Sequence, residues 1–242
     1  QTAENCAKRW QVSLEEQNAL VMRRYEQYED ALANKEDGCF QDRYMLRPLD
    51  VPDAGFRKTI ASLQGDEGIH TTTREGLEKL KPVKDGGTVT YGTQTYPADG
   101  SAGMVIADYE KAHELSQDTG VEIRLISFGQ SRTELAMMPA APILAATDAL
   151  VTAGIKIGDV AAIKSHNPFA VNDIIFARET GVDPEYMNNF GCSLIWGHPQ
   201  GPTGMRAVIE LIEELVMKGG GYGLFHGCAA GDTAMAVVLK VS

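Results

Sequence analysis

Gly197-His198-Pro199-Gln200-Gly201-Pro202-Thr203-Gly204 is the stretch from which the fold can be read. Glycines, two prolines and a threonine around one histidine exclude both a helix interior and a central strand. Met205 to Met217 follows directly, with apolar residues at Val208, Leu211, Ile212, Leu215 and Val216. That three-to-four spacing is the signature of a buried helix face. His198 therefore sits on a constrained loop feeding a helix N-terminus, where free amide N–H groups favour developing negative charge. Some ten residues past the helix, Gly227-Cys228-Ala229-Ala230-Gly231 reads as a second tight turn, this one holding a thiol.

Working outward, strands and helices alternate from about residue 119. Val121 to Phe128 reads as a strand, Pro142 to Gly154 as an amphipathic helix, Val160 to Lys164 as a strand and Ala170 to Glu179 as a helix. Ser193 to Trp196 is a short buried run taken as a strand, and Gly223–Phe225 and Ala234–Val241 are two strands joined through the cysteine turn. Such alternation predicts an α/β layered domain. Nearer the N-terminus, residues 1 to about 36 read as helical, with a Ser13-x-x-Glu16 capping box and Gly38 as the stop. Residues 42–87 carry prolines, glycines and charges with little periodicity, and predict a loop-rich surface excursion with one short helix after Thr71-Thr72-Thr73. Thr88–Tyr91 and Met104–Ala107 are strand-like, and Tyr109–Gln117 is helical.

Composition narrows the function classes. With 22 Lys and Arg against 33 Asp and Glu, the net charge is −11. Such a field argues against general binding to nucleic acid or anionic membranes. No apolar run is long enough to span a bilayer. The start, Gln1-Thr2-Ala3-Glu4-Asn5, has neither an initiator methionine nor a signal-peptide pattern, which predicts a processed chain, a partial one or a fragment. Cys6, Cys39, Cys192 and Cys228 lie far apart, with no metal-ligand spacing to the histidines. Reduced thiols, a cytoplasmic location and no metal are expected.

Three side chains fall just past predicted strands: His198, Cys228 and His166, the last in Ser165-His166-Asn167-Pro168-Phe169. Ligands of open α/β sheets bind outside the strand ends, so these three converge on one crevice. A cysteine beside a histidine supports thiolate chemistry, and two histidines near one point can hydrogen-bond an oxyanion. Acyl transfer or carbon-acid chemistry is the reading. His70 and His113 lie in charged stretches and are expected in solvent. His226 is left as either a site wall or a core residue, and Cys6, Cys39 and Cys192 as packing residues.

Several boxes in fixed order carry a family resemblance. Gly197-His198-Pro199 with Gly201 and Gly204 resembles the G-H-P-x-G-x-S-G box of thiolases, with Thr203 in the serine place. Gly227-Cys228-Ala229-Ala230-Gly231-Asp232 resembles that family's C-terminal cysteine–glycine box. Thr2-Ala3-Glu4-Asn5 with Glu15-Glu16-Gln17, Leu80-Lys81-Pro82, Gly86–Thr90 and Asp99-Gly100 are similar to its T-A-E-N, E-E-Q, L-K-P, G-T-V-T and D-G stretches. The resemblance runs along essentially the whole chain and is to the C-terminal part of a thiolase.

It implies a thiolase-like layered α-β-α fold, the C-terminal half of a doubled α-β-α-β-α fold with a loop-rich helical excursion. The implied division is a loop domain at 1–90, a strand–helix segment at 91–118 completing the N-terminal domain, and a C-terminal domain at 119–242. By the same resemblance, His198 activates a nucleophilic cysteine and helps hold an oxyanion, and Cys228 is the acid/base thiol. His166 takes the place of the N-E-A-F asparagine that positions an oxyanion-hole water. The Ala230 amide stands for the second oxyanion donor, and Thr95 for a CoA-contacting serine. Coenzyme A is the implied co-substrate.

The nucleophilic cysteine of thiolases lies in the N-terminal half, and neither Cys6 nor Cys39 stands in its place. The expected partner is therefore a chain carrying that half and its cysteine, in a homo- or hetero-oligomer, a dimer or dimer of dimers, with a small accessory subunit as a further option. His166-Asn167-Pro168-Phe169, Gln200 and Ala229-Ala230 depart from the common pattern and point to a bulky or aromatic 3-oxoacyl-CoA. Two other readings are a thiolase-fold aldolase or lyase acting on CoA substrates, and a non-catalytic scaffold or acyl-CoA-binding subunit.

Overall fold

The computed structural model describes residues 1–33 and 38–242. The chain opens with helices α1 (Thr2–Arg9) and α2 (Leu14–Leu32). Ser13 caps α2 reciprocally with Glu16, so two donors at the helix start are satisfied. The helix ends at Leu32; the rest of the expected helical run, residues 34–36, lies outside the described residues. A hairpin of β1 (Leu49–Pro52) and β2 (Thr59–Leu63) stands in the loop-rich excursion. Almost all of its residues are exposed, so no alternation of apolar and polar residues marks it in the sequence. Helix α3 (Arg74–Glu78) follows, its Gly76 N–H donating to the Thr73 hydroxyl.

Two expected strands are not formed. Along Thr88–Tyr91 the Thr88 and Val89 N–H groups donate to the Glu4 carboxylate instead of a strand ladder. Met104–Ala107 is also irregular, with Val105 and Ile106 79% and 74% exposed. A strand needs a neighbour for its backbone groups, and no described segment pairs with it. Residues 91–118 thus contribute a 3-10 turn at Tyr91–Thr93, isolated bridges and helix α4 (Tyr109–Leu115): the helix of the expected strand–helix segment is formed and its strand is not.

Beyond α4 come β3 (Ile123–Arg132), α5 (Ala141–Ala153), β4 (Val160–His166), α6 (Ala170–Thr180), α7 (Ser193–Trp196), α8 (Thr203–Met217), β5 (Gly221–Ala229) and β6 (Thr233–Val241). The sheet order is β3-β6-β5-β4, with β4 and β5 parallel and β6 antiparallel to both its neighbours. Side chains alternate across it: Leu224 packs into the cluster with α5, and Phe225 into the cluster with α8. Gly129 permits the close approach of α5, because a Cβ there would lie 2.2 Å from the Ala145 carbonyl.

Helix α6 is buried from Ala170 to Ala177. Its apolar residues face α1 and α2 on one side and the sheet cluster on the other. A helix apolar all round is a core helix, so the N-terminal helices act as its roof. Three local expectations are corrected. Ser193–Trp196 is one helical turn, not a strand, since its backbone closes onto Cys192 and Ser193. His166 is the last residue of β4 and does not follow it. Cys228 lies inside β5, paired with Ala234, and the turn proper is Ala230–Asp232.

Candidate active site

His166 is paired in register with Gly227, the residue before Cys228. A Cβ at Gly227 would sit 3.0 Å from the His166 Cβ, so glycine lets the two strand ends close up. A strap formed by residues 94–98 lies across both histidine loops. Thr95 N–H donates to the Pro168 carbonyl at 2.8 Å, and its hydroxyl donates to the Ser193 carbonyl at 2.6 Å. His198 N–H donates to the Tyr96 carbonyl at 2.8 Å, and the Tyr96 hydroxyl donates to the Ile195 carbonyl at 2.9 Å. Gly197 adopts φ +90° under this strap, and a Cβ there would lie 2.8 Å from that of Ala98. Held this way, the rings of His166 and His198 stack, centroids 4.2 Å apart and planes at 27°.

The hydrogen bonds of His198 fix its proton. Thr203 Oγ1 lies 2.6 Å from the Pro199 carbonyl and 2.8 Å from His198 Nδ1. A carbonyl only accepts, so the threonine proton goes there and Nδ1–H donates to Oγ1. Nε2 is left with its lone pair, an assignment made from the network. Burial holds the His198 pKa below its usual value, which keeps the imidazole neutral and basic at Nε2 near pH 7.

Cys228 is buried, and its Sγ accepts from Asn172 Nδ2 at 3.4 Å. Burial pushes the thiol up to about 12, against a smaller lowering by the Asn172 hydrogen bond. His166 is pushed down to about 3, first by burial and then by His198. His226, two residues before Cys228, lies on the same face of β5, stacked on Phe176 of α6 at 3.8 Å, with neither ring nitrogen hydrogen-bonded. It is a core residue, held down to about 4 by burial. Ala230 is exposed at the hairpin turn, where its carbonyl accepts from the Thr233 hydroxyl. His70 and His113 are exposed. Cys6, Cys39 and Cys192 are buried and unpaired.

The sequence does not single out the residues behind this wall. Arg24 and Asp173, both fully buried, pair at 3.0 Å. Asp173 also accepts from Ser165, Asn167 and Asn188, which ties the end of β4, the His166 loop and α6 together. Lys164, Glu210, Arg206, Asp66 and Tyr44 form a second network, joining β4 and α8 to the excursion. The usable signal was polarity out of place: Asn172 and Asp173 in an otherwise apolar stretch of α6, and Ser193 in Cys192–Trp196. Among the described residues no group of three or more His, Cys, Asp or Glu can hold a metal ion, and no helix is long and apolar enough to cross a membrane.

Residues 120–241 match the family model "Thiolase, C-terminal domain", and residues 1–110 match "Thiolase, N-terminal domain". The chain thus takes in parts of both domains, where the sequence resemblance pointed to the C-terminal part alone. It is 32% identical over 243 residues to 3-ketoacyl-CoA thiolase B, peroxisomal, of Rattus norvegicus, covering 99% of this chain and 56% of that one. Among solved structures it is similar to the Bacillus anthracis acetyl-CoA acetyltransferase, with TM-score 0.88, 27% identity, and 100% and 59% of the two chains covered. It is also similar to human mitochondrial 3-ketoacyl-CoA thiolase in complex with CoA, with TM-score 0.83, 28% identity, and 100% and 58% covered. The chain spans little more than half the length of these relatives.

Proposed function

The chain belongs to the thiolase family, and on that premise we propose that it carries one half of a CoA-dependent acyltransferase site, cleaving or forming a 3-oxoacyl-CoA. The observation that carries this reading is the stacked His166–His198 pair, with a bare Nε2 on His198 and with His166 in register with Gly227, the residue before Cys228. A neutral imidazole of that kind takes the proton of a nucleophilic thiol and, once protonated, donates to the oxyanion that follows. Cys228, held as a thiol by its burial, is set to donate. In thiolysis the nucleophilic thiolate, its proton taken by His198, adds to C3 of the 3-oxoacyl group. The bond between C2 and C3 breaks, and the electron pair left on C2 takes the Cys228 proton, releasing acetyl-CoA and leaving an acyl-enzyme. The Cys228 thiolate then deprotonates incoming CoA, whose sulfur attacks the acyl-enzyme and expels the nucleophilic cysteine as a thiolate, giving the shortened acyl-CoA.

The acyl-accepting cysteine, in this proposal, comes from a thiolase N-terminal half outside these 242 residues. Support lies in the face of the sheet that carries α8, where Ile123, Leu125, Phe128 and Met235 are each about half exposed. CoA is the co-substrate, with Thr95 and the Ala230 amide on its side of the site, and the acyl group is bulky or aromatic. We place the assembly in the cytoplasm as a dimer or a dimer of dimers, and four unpaired cysteines are compatible with that compartment.

The test is Cys228→Ala in the natural assembly, assayed with acetoacetyl-CoA and with an aromatic 3-oxoacyl-CoA. Thiolysis is expected to fall by about 10²–10⁴-fold, the usual worth of a positioned acid/base group. Undiminished thiolysis removes Cys228 from the mechanism. Retro-aldol cleavage that survives the substitution favours the lyase reading.

A further inference from the structure

His166 ends its strand with Nδ1 3.0 Å from Ser193 Oγ, and which of the two carries the hydrogen between them follows from the atoms behind the serine. Asp173 is the fixed point. Its Oδ2 receives Nε and Nη2 of Arg24 at 3.0 Å, Asn188 Nδ2 at 3.0 Å and Asn167 Nδ2 at 2.7 Å, while its Oδ1 receives the Ser165 hydroxyl at 2.7 Å. A carboxylate in such a pair only accepts, so the amide of Asn167 is oriented with its NH₂ toward Asp173 and its Oδ1 toward Ser193. Cys192 Sγ, 3.2 Å from the same Nδ2, agrees with that orientation.

Three atoms then compete for Ser193 Oγ: Asn167 N at 3.3 Å, Asn167 Oδ1 at 3.1 Å and His166 Nδ1 at 3.0 Å. The backbone N–H only donates and Oδ1 only accepts. The single hydroxyl hydrogen must go to Oδ1, because Asn167 is fully buried and an orphaned buried carbonyl is rarely tolerated. Both lone pairs of Ser193 are then filled, one by Asn167 N–H and one by His166 Nδ1–H. From His166 through Ser193 and Asn167 each bond then donates toward Asp173, on which Arg24 converges from the other side.

We propose that Ser193 is a positioning residue that fixes His166 as the Nδ1–H tautomer, so that its Nε2 meets the substrate as a hydrogen-bond acceptor. Nε2 has no hydrogen-bond partner among the described residues and is not one of the sealed, unpartnered atoms. A neutral ring of this tautomer does not donate to an oxyanion. It accepts one hydrogen of a water molecule, and that water turns its second hydrogen to the charge. His166 and His198 therefore both face the site through bare Nε2 atoms, and donors to the oxyanion come from water, backbone amides or a protonated His198. The consequence for catalysis rests on the acyltransferase reading; the tautomer does not.

The experiment is long-range ¹H–¹⁵N NMR on the ¹⁵N-histidine-labelled protein at neutral pH. With only five histidines, His166→Asn assigns the His166 signals by their loss. The expected wild-type pattern has a protonated Nδ1 and an unprotonated Nε2 at His166. In Ser193→Ala the proton is expected to move to Nε2 or exchange between both nitrogens, and Ser193→Thr, which keeps the hydroxyl, is expected to restore the wild-type pattern. Unmoved His226 signals report that the variants keep the fold. A wild-type His166 protonated at Nε2, or an unchanged pattern in Ser193→Ala, overturns the proposal. The expected tautomers in a protein without thiolysis activity would uphold it and overturn the acyltransferase reading instead.

Discussion

At Cys228 two opposing effects act on one sulfur atom. Burial disfavours the thiolate, and the Asn172 amide, 3.4 Å away, favours it. A hydrogen bond to a charged group is worth about 1.5–3 kcal/mol, so losing it is expected to cost roughly tenfold or more in the step that forms the thiolate. Asn172→Ala is therefore predicted to lower kcat with little change in KM, and to move the iodoacetamide alkylation profile of Cys228 to higher pH. An unmoved alkylation profile would show that the contact is incidental. His198, Cys228 and His166 are legible in the sequence because each lies in a short box that carries glycine or proline within two residues of it. Asn172 is not, since it meets Cys228 across 56 positions and sits on a helix whose pattern says only that it is buried. Ser193 is hidden for a similar reason: its partners lie in the His166 loop, 26 and 27 positions away.

At the scale of elements, β4, β5 and α6 bury two histidines as neutral rings. From the usual 6.5, His166 is pushed down to about 3 and His226 to about 4, chiefly by desolvation. The unfolded chain takes up those protons below about pH 6.5, while the folded chain refuses them until pH 3–4. Folding stability is thus complete above pH 6.5 and is lost progressively as the pH falls toward 4. Thermal melting across pH 4–7 is predicted to show a falling Tm on the acid side, and His226→Leu to flatten that fall. Identical acid limbs in the two proteins would contradict the assignment of His226 as a buried neutral base. Long helices were readable from their period and caps, Ser13 for α2 and Gly154 for α5. Short apolar runs were not: Met104–Ala107 has strand composition without a strand to pair with, and Ser193–Trp196 is too short for periodicity to separate a helical turn from a strand. The exposed β1–β2 hairpin lacks the half-buried alternation on which strand recognition depends.

At the scale of the whole molecule, the described residues leave half of one sheet face bare. Four strands about 4.8 Å apart make a face nearly 20 Å wide, and a helix about 10 Å across covers two of them. Helix α8 packs on β4 and β5, and the residues on β3 and β6 beyond it are the exposed Ile123, Leu125, Phe128 and Met235. Room remains for one further helix, which the proposed N-terminal half would supply. Phe128→Lys is predicted to weaken that association, read as loss of the larger species in native mass spectrometry; an unchanged assembly would put the partner elsewhere. The central claim, that this chain supplies the base and acid of an acyltransferase while the nucleophile comes from outside its 242 residues, is tested most directly by trapping the acyl-enzyme. The natural assembly is incubated with a 3-oxoacyl-CoA, quenched in acid, and its peptides are mapped by mass spectrometry. The acyl group is predicted on a cysteine of an N-terminal thiolase segment. An acyl group on Cys6, Cys39, Cys192 or Cys228, or no acylated cysteine at all, would contradict the claim.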